Sequence, residues 1–128
     1  MAQVAIGTFD VELTPGAAEL DGAVVRLDLD KVFHGELEGA GRGVMLSAGD
    51  PSTGRAGYVA IETFDGSLDG REGFFALQQF GTMRDGAQTL HYEIVPGSGR
   101  AGLEGIGGVL ELTVEDDGTH RYALEYEL

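Results

Sequence analysis

The chain of 128 residues has no cysteine. That absence excludes disulfide frameworks, thiolate zinc sites and cysteine nucleophiles. Proline is scarce, with 3 residues, and no low-complexity tract or linker is present. Basic residues are few as well: 8 Lys plus Arg stand against 22 acids, for a formal net charge of −14. Such a field repels phosphate backbones and anionic bilayers, so neither nucleic acid nor a membrane surface is an expected partner. No run approaches the roughly 20 apolar residues of a membrane helix, and the start, Met1-Ala-Gln-Val-Ala-Ile-Gly-Thr, has no secretory pattern. A cytoplasmic location is the expectation.

Glycine, by contrast, is abundant at 22 residues, beside a hydrophobic content of 42%. Together these point to many tight turns in a folded chain. Asp-Gly pairs at 21–22, 65–66, 69–70, 85–86 and 117–118 supply the positive φ angles that hairpins need. Gly49–Gly54 and Pro96–Gly99 add two further turn clusters.

Between the turns, hydrophobicity alternates with period two. Tyr122, Leu124, Tyr126 and Leu128 oppose Arg121, Glu125 and Glu127; Leu110, Leu112 and Val114 oppose Glu111, Thr113 and Glu115. Eight strands follow, at about 3–13, 23–34, 36–48, 57–65, 71–83, 88–95, 107–115 and 120–127. The only helical candidates are single turns at Ala17–Leu20 and Arg100–Glu104. The predicted fold is a single all-β domain over 1–128, a closed eight-stranded antiparallel up-and-down barrel. Such a barrel is filled by side chains or holds one small ligand.

Two irregularities stand out. In the first strand the apolar set shifts from Val4 and Ile6 to Phe9, Val11 and Leu13, which predicts a bulge at Gly7-Thr8. The strands at 57–65 and 71–83 are apolar on both faces: Tyr58, Ala60 and Phe64 back onto Val59 and Ile61, while Phe74, Ala76 and Phe80 back onto Phe75 and Leu77. Outward apolar faces on these two strands predict a homo-oligomer formed through them.

Three polar residues fall in phase with the interior: Lys31 with Leu27, Leu29 and Phe33; Glu62 with Tyr58, Ala60 and Phe64; Gln78 with Phe74, Ala76 and Phe80. A lone buried charge costs several kcal/mol, so each needs a partner. Lys31 and Glu62 are therefore expected to pair. The pair is either structural or a catalytic one, in which Glu62 is acid, base or polar anchor and Lys31 tunes it. Gln78 and the inward-phased Tyr58, Tyr92, Tyr122 and Tyr126 would then line a site for an apolar ligand carrying an oxygen or two.

Other motifs carry less. His34, His91 and His120 lack metal-ligand spacing, and no cofactor or metal is expected. Asp28-Leu29-Asp30 begins like a calcium loop, but Phe33 stands where glycine is required. The glycine runs at 39–43 and 97–102 do not open helices, so they make no phosphate cradle. No Gly-x-Ser-x-Gly elbow occurs.

Three stretches together resemble a family. They are Lys31-x-Phe33-x-Gly35-x-Leu37-Glu38-Gly39; Glu62-x-Phe64-x-Gly66-x-Leu68-x-Gly70-Arg71-x-Gly73-x-Phe75-x-Leu77-Gln78; and Val95-Pro96-Gly97-Ser98-Gly99-x-x-x-Leu103-x-Gly105-Ile106-x-Gly108. Their order and spacing resemble the bacterial domain-of-unknown-function family DUF3224, itself similar to the allene oxide cyclase-like barrels. The resemblance implies an oligomeric eight-stranded barrel with an axial cavity. It also implies relatives that shape a reactive apolar substrate with few polar groups. Lys31, Glu62 and Gln78 fall on recurrent positions, whereas Gln79 replaces a histidine frequent in the family.

Two readings remain open. One is a small-molecule-binding barrel, as a cofactor-free cyclase or isomerase. The other is a non-catalytic interaction module with a filled barrel. A lumen pocket of roughly 300 Å³ or more, lined by Glu62 and tyrosines, separates the two.

Overall fold

A computed structural model describes residues 2–128. Nine strands occur: β1 (Gln3–Glu19), β2 (Val24–Gly35), β3 (Leu37–Asp50), β4 (Arg55–Leu68), β5 (Arg71–Arg84), β6 (Ala87–Ile94), β7 (Arg100–Ala101), β8 (Gly107–Val114) and β9 (His120–Glu127). Eight of them close an antiparallel up-and-down barrel in the order β1-β2-β3-β4-β5-β6-β8-β9, with β9 returning to β1. The ninth, β7, pairs with β5 at Gly73 and Phe74, beyond the reach of the shorter β6.

Local chemistry sets the hairpins. Asp69-Gly70 and Asp85-Gly86 both have positive φ at each residue, at 50° and 82° and at 52° and 81°. That conformation matches the twist of the β4–β5 and β5–β6 ribbons. The central strands outrun their predicted ends because the β3–β4 ribbon stays paired as far as Asp50 opposite Arg55 and the β4–β5 ribbon as far as Leu68 opposite Arg71. Neither predicted helical turn forms as placed. Residues 17–19 finish β1 and a 3-10 turn follows at Leu20–Gly22. Arg100 and Ala101 form β7, with turns after it.

The expected bulge at Gly7-Thr8 is absent. Pairing with β2 and β9 runs unbroken there, and the register shifts instead between Pro15 and Ala18. Ala5 and Phe9 point inward, leaving Val4 and Ile6 exposed. Proline lacks a ladder donor, so the irregularity falls beside Pro15.

The barrel is filled over its lower half. Phe33 meets Phe64 edge-on at 5.4 Å, and Phe64 stacks on Phe75 at 5.1 Å. Below them lie Leu37, Leu68, Leu103 and Ile106, all buried. At the opposite end the interior is open. The β6–β8 seam there is thin, because Glu93 with Val109 is its one residue pair among the described residues.

One strand is turned over relative to expectation. On β5 the buried set is Phe75, Leu77 and Gln79. Phe74, Ala76, Gln78 and Phe80 face outward, and Phe80 is 53% exposed. With both faces apolar, alternation alone could not orient this strand. The chain's own segment accounts for part of the outer face: the Arg100 guanidinium lies over Phe74, and Ser98 Oγ accepts from the Ala76 amide at 3.0 Å.

Candidate functional site

Four adjacent inward positions build a polar cluster above the aromatic plug. Lys31 comes from β2, Glu62 from β4, Gln79 from β5 and Tyr92 from β6. Lys31, Glu62 and Gln79 are the buried polar residues, at 6%, 1% and 6% exposure. The Lys31 ammonium stands 2.8 Å from Glu62 Oε2. It donates its hydrogen bond to the Tyr92 hydroxyl at 2.9 Å. Tyr92 in turn donates to Glu62 Oε1. Oε2 therefore has a cation beside it but accepts no hydrogen bond of good geometry. The ammonium also lies 4.6 Å from the Phe9 ring centroid, on its face.

Burial pushes the Glu62 carboxyl above its ordinary value, and the Lys31 charge offsets only part of that rise. Glu62 is thus a buried carboxyl whose charged form burial disfavours. Tyr58, one inward step above Ala60, donates to Gln79 Oε1 at 2.8 Å. Burial raises its phenol too, with Lys31 opposing the rise.

Glycines make room for these side chains. Gly43 pairs with Glu62 across β3–β4, and a β-carbon there would lie 2.6 Å from that of Glu62. Gly81 pairs with Tyr58 across β4–β5, and a β-carbon there would collide with the Tyr58 ring.

Above the cluster the barrel mouth holds a pocket of about 340 Å³. Its inward lining includes Leu27, Met45, Tyr58, Met83, Leu90 and Leu112. Tyr58 is the only predicted site residue on this lining; Glu62 lies beneath the Tyr58–Gln79 pair. A larger concavity of about 490 Å³ lies on the outer face of β3–β6, lined by Val44, Leu46, Val59, Ile61, Phe80 and His91.

The predicted residues divide accordingly. Lys31, Glu62, Tyr92 and Tyr58 come together. Gln78 does not: it faces outward and donates to Glu93 at 2.9 Å, and the interior position belongs to Gln79. Tyr122 and Tyr126 are inward but distant in role. The Tyr122 hydroxyl accepts from the Leu37 amide at 2.9 Å, tying the β2–β3 turn. Tyr126 donates to Asp69 at 2.8 Å at the closed end. His34 pairs with Asp10 on the surface, and His91 packs on Phe80. Asp28 and Asp30 face outward beside Arg26 and Arg42. Among the described residues, no group of His, Asp or Glu could hold a metal. Sequence reasoning missed Gln79 and the mouth residues. Continuing Phe75-x-Leu77-x-Gln79-x-Gly81-x-Met83 as one face would have found both.

Comparison with known proteins agrees with this architecture. A solved structure, described as a protein of unknown function from the DUF3224 family of Shewanella oneidensis MR-1, is 45% identical. The likeness covers 100% of this chain and 98% of that one, with a TM-score of 0.92. No curated protein matches the chain. The family profile of DUF3224, a protein of unknown function, matches residues 5–126. The chain therefore belongs to the DUF3224 family.

Proposed function

We propose that the barrel mouth binds a small, mainly apolar molecule, with an oxygen directed at Tyr58 and Gln79 and the Lys31–Glu62–Tyr92 cluster beneath. The observation that carries this reading is the apolar 340 Å³ mouth lined by Tyr58, whose hydroxyl donates to the buried Gln79. Pockets that hold small ligands have this volume and this balance of apolar wall and few polar groups. Glu62, with its raised carboxyl, suits cofactor-free proton transfer of the kind a cyclase or isomerase needs.

Binding of an aliphatic alcohol such as hexanol tests the reading. Met45→Trp should fill the mouth and abolish saturable binding while the far-ultraviolet spectrum stays native. Glu62→Gln, which keeps an acceptor for Tyr92, should weaken binding or stop turnover. Unchanged binding in both variants contradicts the proposal. The aromatic plug of Phe33, Phe64 and Phe75 favours a second reading, a non-catalytic module. Absence of any saturable lumen ligand would support it.

We propose further that the outer face of β3–β5 meets a second copy of the chain. Leu46, Val59 and Phe80 form one row and Val44 with Ile61 the next, all at least 38% exposed. Where the rest of the chain is acidic, this uncharged area is where two copies repel least. A cytoplasmic setting suits the remaining exterior, which carries Arg26, Asp28, Asp30 and Arg42.

A further inference from the structure

We propose that Lys31 is a carbonyl-trapping amine, and that the ligands of the mouth include aliphatic aldehydes or ketones that form an imine with it. The inference rests on the proposed lumen-binding reading and adds a covalent step to it.

Lys31 is the chain's one lysine; the other seven basic residues are arginines. Apart from His34 beside Asp10, the surface ion pairs among the described residues are made by arginine, at Arg26, Arg42, Arg55 and Arg121. The single buried cation is the one that can shed a proton and become a nucleophile. Its partners suit that step. Glu62 Oε2, 2.8 Å from the amine and free of other hydrogen bonds, is placed to receive the proton. The Tyr92 hydroxyl touches both members and can relay it. Lys31 is also the more accessible of the pair, its side chain 5% exposed against 1% for Glu62. Along β2 its next inward neighbours are the buried Leu29 and then Leu27, which lines the apolar mouth.

The chemistry balances without a co-reactant. The ammonium gives a proton to Glu62, and the nitrogen lone pair forms a bond to the carbonyl carbon. The carbonyl oxygen takes the proton from Glu62, giving a carbinolamine. A second proton, moved from the nitrogen through Glu62 or Tyr92, lets the C–O bond break. Water leaves and the C=N bond remains. Amine plus carbonyl thus gives imine plus water, with no change of oxidation state.

The test is reductive trapping of the native protein with hexanal and cyanoborohydride, read by tandem mass spectrometry. The N-terminal amine is the internal reference, since it is the other amine in the chain. The expected result is saturable alkylation of Lys31, faster than that of the N-terminus and slowed by hexanol. The preference should vanish in urea, where both amines are free. Glu62→Gln should slow labelling at Lys31 about a hundredfold, the loss of one acid–base group. Exclusive labelling of the N-terminus overturns the inference. If hexanol still binds saturably in that case, lumen binding stands and only the covalent step fails. If it does not, both fail. Equal labelling of Lys31 in the native protein and in urea also overturns it.

Discussion

Replacing Lys31 by Met isolates the electrostatics of the buried pair. Methionine keeps most of the apolar stem against Phe9 and removes the charge together with the hydrogen bond to Tyr92. Glu62, 1% exposed, then has no cation beside it. Its carboxyl is already raised by burial, and the loss of the opposing Lys31 charge raises it further. The cheapest response is for Glu62 to keep its proton in the folded state. Relative to its ordinary value of 4.5, holding that proton at pH 7 costs about 3 kcal/mol, at about 1.4 kcal/mol per pH unit. Part of this is already present in the native protein, so about 3 kcal/mol is the ceiling at pH 7. The sign follows from linkage. A carboxyl with a raised folded-state value contributes stability that is complete below 4.5 and is lost as pH rises through the folded value. In the variant that value is higher, so the loss runs deeper and to higher pH. Urea unfolding of both proteins at several pH values reads the difference. The gap should be smallest at about pH 4.5 and widen by up to about 3 kcal/mol by pH 7, or a further drop of roughly 10 °C in Tm at most. A gap that is independent of pH, or that widens towards acid, refutes the reasoning.

Gly43→Ala sets a β-carbon 2.6 Å from both the Glu62 β-carbon and the Ile61 carbonyl oxygen, atoms fixed by the sheet. It should cost at least about 1–3 kcal/mol in a denaturant melt, and a neutral result would show that the strands do not approach as described. The Tyr126 phenol is pushed up to about 12 by burial and then by its hydrogen bond to Asp69. Its contribution to stability is complete below 10.0 and lost as pH rises through about 12. A phenolate titration should show a step near 12 that Tyr126→Phe removes. Phe80→Asp should leave the fold within about 0.5 kcal/mol and turn the proposed dimer into single chains by light scattering; a wild-type mass of one chain contradicts the interface.

The barrel was legible because alternation and Asp-Gly turns are local signals, and nearly every strand reports its own inward face. The Lys31–Glu62 pair was legible because charges in phase with Leu29 and Phe64 need each other. The face of β5 was not, since Phe74 and Phe75 are equally apolar and the segment covering Phe74 is distant in sequence. That one inversion exchanged Gln78 for Gln79. Gln79 is the buried one of the two, and it accepts from Tyr58, which lines the mouth. The separation of Tyr58 and Tyr92 from Tyr122 and Tyr126 was hidden too, because alternation gives a face but not a height along the axis. Glycine's part was only half visible. Gly43 stands in a glycine run and Gly81 within a strand, and only the register shows that they sit opposite Glu62 and Tyr58.

Met45 and Met83 both line the mouth, and Ile61 lies on the outer face. Methyl resonances of these three residues therefore separate lumen binding from surface binding in one hexanol titration. Saturable shifts of Met45 and Met83, with Ile61 unmoved, are the predicted result. Shifts confined to Ile61, or none that saturate, would contradict a binding site in the barrel mouth.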